Sequence, residues 1–144
     1  MIFHSIAMKY MNDDATIDSN ILFYAFGKQD NSKSRIAREI ITECNIISLQ
    51  AINETVFVLK RKFNFSVKDL QEIIQFFKEK YIVKNIDIHI LETAMVIMDK
   101  YQYSLWDSMM LASALENKCT EIYSEDMQHN QTIEDKLRII NPFL

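Results

Sequence analysis

The chain is poor in the residues that let a backbone turn sharply. Its 144 residues include one glycine, Gly27, and one proline, Pro142. A glycine-rich loop cradling a nucleotide phosphate is therefore excluded, as are long flexible linkers. Cysteine is equally scarce. Cys44 and Cys119 lie far apart, which suits two reduced core thiols in a cytoplasmic chain better than a disulfide framework. No apolar run approaches the roughly 20 residues of a membrane span, and no signal peptide is evident. The apolar stretch from Met1 to Tyr10 is short and contains His4 and Lys9. The three histidines, His4, His89 and His129, are too scattered to form a ligand triad. Excess positive charge is also missing: the net charge of −4 argues against a protein that coats nucleic acid. It does not exclude a nuclease, because acidic metal ligands carry formal negative charge that bound cations neutralise.

A hydrophobic fraction of 49% is present, enough for a sizeable core in one domain spanning 1–144. A start at Met8 or Met11 would leave residues 1–11 as a disordered extension. Ala15 to Asp18 reads as a short strand entering a turn at Ser19-Asn20, and Ile21 to Phe26 as a short helix. Asn31-Ser32 caps a helix through Glu43 with Ile36, Ile40 and Ile41 on one face. Asn45 to Leu49 reads as a buried strand and Gln50 to Phe63 as a helix. Ser66 with Asp69 forms a capping box that opens a helix to Tyr81, and Ile82 to Asn85 is a further strand. Asp87 caps a helix over Ile88 to Tyr101, with Leu91, Met95 and Met98 on one side. Ser104 opens another helix, to Asn117. Cys119 to Tyr123 and Leu137 to Ile140 complete the strands. Short strands alternating with longer helices predict an α/β fold with a parallel sheet covered on both faces.

Four carboxylates stand out because each sits beside apolar sequence rather than in a charged run: Asp18, Glu54, Asp107 and Asp126. Each has an ordinary explanation taken alone. Asp18 can cap a helix, Glu54 can be a solvated helix residue, Asp107 can be the acidic half of a capping box, and Asp126 can fill a turn. Their value lies in combination. Asp18 and Asp126 follow strands at the carboxyl end, where ligands bind in parallel sheets. Carboxylates converging there repel one another unless a cation joins them. Hard oxygen donors select Mg²⁺ or Mn²⁺ rather than Zn²⁺.

These segments resemble the PIN-domain ribonucleases, and within them the VapC-like toxins of type II toxin–antitoxin pairs. The likeness begins at Ile17-Asp18-Ser19-Asn20-Ile21-Leu22-Phe23-Tyr24-Ala25 and continues at Ile52-Asn53-Glu54. It is strongest over Ser104 to Ala114 and over Tyr123-Ser124-Glu125-Asp126-Met127-Gln128-His129-Asn130, and ends with Leu137-Arg138-Ile139-Ile140-Asn141-Pro142-Phe143. It spans about Ile17 to Phe143, with the middle, about Phe65 to Ile90, matching only in element type. Asn130 stands where the family often has glycine, and asparagine tolerates the positive φ such a turn needs. The resemblance implies a PIN-like three-layer fold, a short parallel central sheet flanked by helices.

It also implies a metal-dependent endoribonuclease. Asp18, Glu54, Asp107 and Asp126 would hold Mg²⁺ or Mn²⁺, and a metal-activated water would cut the phosphodiester to leave 3′-hydroxyl and 5′-phosphate ends. Asn20 and Ser124 would orient the carboxylates or the phosphate. Arg35, Arg38, Lys60, Arg61 and Lys62 are candidates for RNA-backbone contact. The implied partners are RNA, a cognate antitoxin laid over the cleft, and a second copy of the chain, docked through the apolar faces of the helices after Asn31 and Gln50. Three alternatives stand beside this reading: a housekeeping RNA-processing PIN nuclease, a metal-free PIN-like RNA- or protein-binding module, and a phosphotransfer enzyme with Asp18 as nucleophile. The last wants a second aspartate where Asn20 stands.

Overall fold

The structure, a computed structural model, describes residues 14–144. A start at Met8 or Met11, the extension 1–11 and His4 lie outside those residues. Six strands and six helices follow one another: β1 Ala15–Ile17, α1 Ser19–Phe26, α2 Ser32–Glu43, β2 Ile46–Ser48, α3 Leu49–Phe63, α4 Val67–Lys80, β3 Ile82–Lys84, α5 Ile88–Tyr101, α6 Leu105–Glu116, β4 Glu121–Tyr123, β5 Thr132–Ile133 and β6 Leu137–Ile140. One ladder has the order β1-β4-β6-β5, and a second joins β2 to β3. The Thr16 hydroxyl donates to the Ile46 carbonyl at 3.0 Å, tying β2 to β1. All paired strands are parallel except β5, which runs against β6. The result is the expected α/β three-layer arrangement, with a parallel centre between helical layers.

From β1 the chain builds β2 and β3 in one ladder, then returns to lay β4 directly against β1 in the other. The order therefore reverses at β1, and the carboxyl ends of β1 and β4 form the crevice where such sheets bind ligands. Ile17 of β1, Ile47 of β2, Ile122 of β4 and Ile139 of β6 are inaccessible to solvent. Helix α6 can lie close on the sheet because it buries small residues, Ser108, Ala112, Ser113 and Ala114, beside Met110 and Leu111. At the far end of the core, Phe77 is fully buried and meets Phe26, Phe76 and Tyr81 in tilted or edge-on contacts at 5.4–5.8 Å.

Several local expectations need correction. Ser19 and Asn20 are the first helical residues of α1, not a turn, because the Asp18 side chain itself caps the helix. Asn45 and Leu49 fall outside β2; Leu49 already starts α3, capped by Ser48. The short strand β5 is an addition. On α5 the buried side is Ile90, Ala94 and Ile97, whereas Met95 and Met98 of the expected face are exposed. The α2 and α3 faces expected to serve a dimer give Ala37, Ile40, Ile41, Ala51, Ile52 and Leu59 to the core and leave Leu49 and Phe57 exposed, which leaves the dimer an expectation. Asn130 does adopt a left-handed conformation, φ 66°.

The capping box of α4 is complete. Ser66 Oγ accepts from Asp69 N at 3.1 Å, and Asp69 Oδ2 accepts from Ser66 N at 3.3 Å. Replacing Ser66 by alanine is expected to lower the unfolding free energy by about 1 kcal/mol, read as a shifted midpoint in urea with unchanged slope. An unchanged midpoint would show that α4 is held by packing alone.

Candidate active site

Asp18 lies immediately past β1, and its backbone N–H extends the ladder to Tyr123 O at 2.9 Å. Ser124 lies immediately past β4 and donates its N–H to Ile140 O at 2.9 Å. The two side chains therefore meet: Ser124 Oγ donates to Asp18 Oδ2 at 2.8 Å. The other oxygen, Oδ1, accepts from Ser19 N at 2.7 Å, which is the cap of α1. One carboxylate thus caps a helix and faces the crevice.

Asn20 ties the segments together. Its Nδ2 donates to Asp18 Oδ2 at 3.2 Å and Asp126 Oδ2 at 3.1 Å, and its Oδ1 accepts from Glu125 N at 3.2 Å. Glu54 enters from the second turn of α3. Its Oε2 accepts from Ser19 Oγ at 2.6 Å and its Oε1 from Gln50 Nε2 at 3.0 Å. Asp107 enters from the first turn of α6. Ser104 Oγ accepts from Asp107 N at 3.1 Å, but no bond returns from the Asp107 carboxylate to the Ser104 N–H. The half-made box, unlike that of α4, leaves this carboxylate toward the cleft. Asp18, Glu54, Asp107 and Asp126 together line a cleft of about 430 Å³ with Ser19, Phe23, Asn53, Phe57 and Val58.

Electrostatically the cleft is strained. Burial pushes the Asp18 carboxyl up to about 7; the Ser124 and Ser19 hydrogen bonds oppose this, while the charges of Asp107 and Glu54 add to it. Asp107 is also raised, first by burial, against the Ser104 hydroxyl, and then by Asp126 and Glu54. Among the described residues no lysine, arginine or histidine forms an ion pair with any of the four. Nor do any three Asp, Glu, His or Cys side chains among them stand close enough, as placed, to enclose an ion. The amide of Asn20 separates Asp18 from Asp126, and Ser19 and Gln50 hold Glu54. By donor chemistry the set fits a hard divalent cation: only oxygen ligands, mutual repulsion, and no paired lysine, arginine or histidine among the described residues.

The basic candidates divide. Arg38 is committed to closing the α1–α2 connection, donating to Ala25 O, Gln29 O and Asp30. Lys60 donates to Phe65 O at the end of α3. Lys62 lines a second recess, with Asn20, Glu125 and Asp126, and Arg61 lies over the Phe57 ring. Arg35 is exposed on α2. His89 pairs with Glu116 at 3.2 Å, and His129 Nδ1 accepts from Asn141 N at 2.9 Å, so neither belongs to the cleft.

Ser19, Gln50 and Lys33 were not expected at the site. Gln50 precedes Glu54 by one helical turn, a spacing that could have revealed it. Lys33 could not be placed from sequence. It reaches Glu125, which also accepts from Tyr24 OH at 2.7 Å, and so braces the segment carrying Asp126.

The model of the PIN domain matches residues 15–133. The chain belongs to the PIN domain family. The cleft carboxylates all fall within the matched PIN region. Solved structures share the fold at low identity. A toxin–antitoxin complex from Klebsiella pneumoniae is 21% identical, with TM-score 0.67, covering 89% of this chain and 97% of that one. VapC20 of Mycobacterium tuberculosis, a Sarcin-Ricin loop cleaving toxin, is 14% identical, with TM-score 0.61 and coverage of 75% and 86%. VapBC2 of Rickettsia felis, bound to a promoter DNA fragment, is 13% identical, with TM-score 0.60 and coverage of 88% and 98%. A comparison with curated proteins finds no match. Among the described residues no helix of this PIN domain is long and apolar enough to cross a membrane.

Proposed function

We propose that this PIN domain is a Mg²⁺- or Mn²⁺-dependent endoribonuclease and the toxin of a type II toxin–antitoxin pair. The observation that carries the reading is the convergence of Asp18, Glu54, Asp107 and Asp126 on one cleft, where no described lysine, arginine or histidine pairs with them. The similar structures from Klebsiella pneumoniae and Mycobacterium tuberculosis, a toxin–antitoxin complex and a Sarcin-Ricin loop cleaving toxin, support the same class. They also support an antitoxin as partner; a second copy of the chain is the other partner the reading includes.

The four carboxylates would hold the ion, which when bound supplies a water acidic enough to attack phosphorus near neutral pH. The remaining work belongs to the chain. Ser124 and Asn20 fix Asp18, and Asn20 also fixes Asp126. Ser19 and Gln50 fix Glu54. No side-chain nucleophile is required.

The test is cleavage of a structured RNA pool by purified protein with Mg²⁺ or Mn²⁺, with chelator, and by Asp107→Asn. Cutting is expected only with metal and is expected to vanish in the variant, whose thermal unfolding stays close to wild type. Cutting that survives chelator, or survives Asp107→Asn, would remove the metal-carboxylate mechanism.

A further inference from the structure

We propose that the groove beside the carboxylates is a nucleobase site, in which Trp106 and Phe57 stack an unpaired base of single-stranded RNA. The inference rests on the nuclease reading and deepens it by naming where a base of the substrate is held. Two large aromatic side chains are left in solvent next to the acids: Trp106, 61% exposed, immediately before Asp107, and Phe57, 60% exposed, one turn after Glu54. Together with Leu49, Ile86 and Met109 they line a groove of about 710 Å³, within the size range of small-ligand sites. Asn53, Glu54 and Phe57 also line the acidic cleft, so the two depressions are continuous. An occupant with a phosphodiester at the carboxylates has its next flat group delivered to the rings.

A further observation favours a base over an apolar protein segment. Arg61 lies over the Phe57 ring, 5.8 Å from its centroid. Glu54, Phe57 and Arg61 therefore follow one stripe of α3, with about 10 Å of helix rise between the backbone positions of Glu54 and Arg61. A stripe of carboxylate, ring and cation matches a strand of alternating bases and phosphates, in which one phosphate lies at the acids and another meets Arg61. Gln50 lines the same groove. Its Nε2 donates to Glu54 Oε1 at 3.0 Å and to Trp106 O at 2.9 Å, which ties the acid to the backbone of the ring beside it. Bases in a duplex hide their faces against one another, which restricts the site to unpaired nucleotides.

Trp106 is the sole tryptophan of the chain, so its fluorescence reports this groove alone. The Asp107→Asn protein, with Mg²⁺, is titrated with an unpaired oligoribonucleotide, a perfect duplex of the same sequence, and inorganic polyphosphate. Saturable quenching by the unpaired strand only is expected, and Phe57→Ala in the same background is expected to weaken it about 5- to 150-fold, the effect of removing one stacking partner. Equal quenching by polyphosphate, no quenching by the unpaired strand, or an unchanged affinity after Phe57→Ala overturns the proposal. So does a fluorescence change that follows protein concentration and ignores the oligonucleotide, which would assign the groove to a second copy. Wild-type cutting without quenching would sink the base site and leave the nuclease standing. Quenching without any cutting would do the reverse.

Discussion

Asp18→Asn is expected to abolish RNA cleavage and, in the metal-free protein at pH 8, to raise the unfolding free energy. The sign follows from the carboxyl being pushed up from 3.8 to about 7 in the folded state. Below pH 4 the proton is bound in both folded and unfolded chains. Between about 4 and 7 the unfolded chain releases it and the folded chain keeps it, so stability falls as pH rises. Above 7 the full cost is carried, about 4 kcal/mol at 1.36 kcal/mol per pH unit. The amide removes that charge but loses acceptors: Ser19 N keeps Oδ1, while Ser124 Oγ and Asn20 Nδ2 meet an amine in place of Oδ2. Ser124 can rotate to accept, and Asn20 cannot. A net gain of about 2 kcal/mol at pH 8, turning into a loss of about 1–3 kcal/mol at pH 4 where only the missing hydrogen bond remains, is the expected result of urea denaturation in chelator. Saturating Mg²⁺ should reverse the order, because only wild type gains RT ln(1 + [L]/Kd). The wild-type affinity for Mg²⁺ should also weaken below pH 7, where a proton competes for Asp18. A variant less stable than wild type at every pH would mean that Asp18 is held for its hydrogen bonds, not strained as a ligand.

That strain explains what the sequence could and could not disclose. Helix starts were legible because Ser66, Asp87, Ser104 and Asn31 act within three residues of themselves. The identities of the cleft carboxylates were legible because acids beside apolar sequence need a reason to be there. Their arrangement was not. Gln50 bonds across 56 residues to Trp106 O, and Asn20 across 106 to Asp126; no local pattern encodes such pairs. The α5 misreading has a different cause. Leu91, Met95 and Met98 recur at helical spacing, but so do Ile90, Ala94 and Ile97, and periodicity alone does not say which stripe faces the core. The stripe that won holds Ala94, fully buried between Ile90 and Ile97, while Met95 and Met98 stay exposed. Arg38 shows the same limit for charge: a basic residue near a site is as available to stray carbonyls of a loop as to RNA.

Asn20→Asp should then be the most damaging single change in the cleft, although it alters one atom and keeps the shape. The amide nitrogen of Asn20 lies 3.2 Å from Asp18 Oδ2 and 3.1 Å from Asp126 Oδ2, so it is the donor that lets two carboxylates share a wall. Replacing it with oxygen deletes both bonds and, once ionised, adds a third negative charge against the other two in a position only 6% exposed. Leaving a buried charge uncompensated costs about 3–5 kcal/mol. Asn20→Ala provides the control: it loses the same donors without the charge, at about 1–3 kcal/mol and with little pH dependence. The two variants should therefore lie close together near pH 4, where the new carboxyl is protonated and can still donate one bond, and separate steadily as pH rises to 8. Both should lose cleavage, because Asp18 and Asp126 are no longer held, but Mg²⁺ should recover part of the stability of N20D and little of N20A. Equal stability of the pair at pH 8 would show that the cleft is open enough for water to screen the charge, and the repulsion invoked for Asp18 would lose its footing with it.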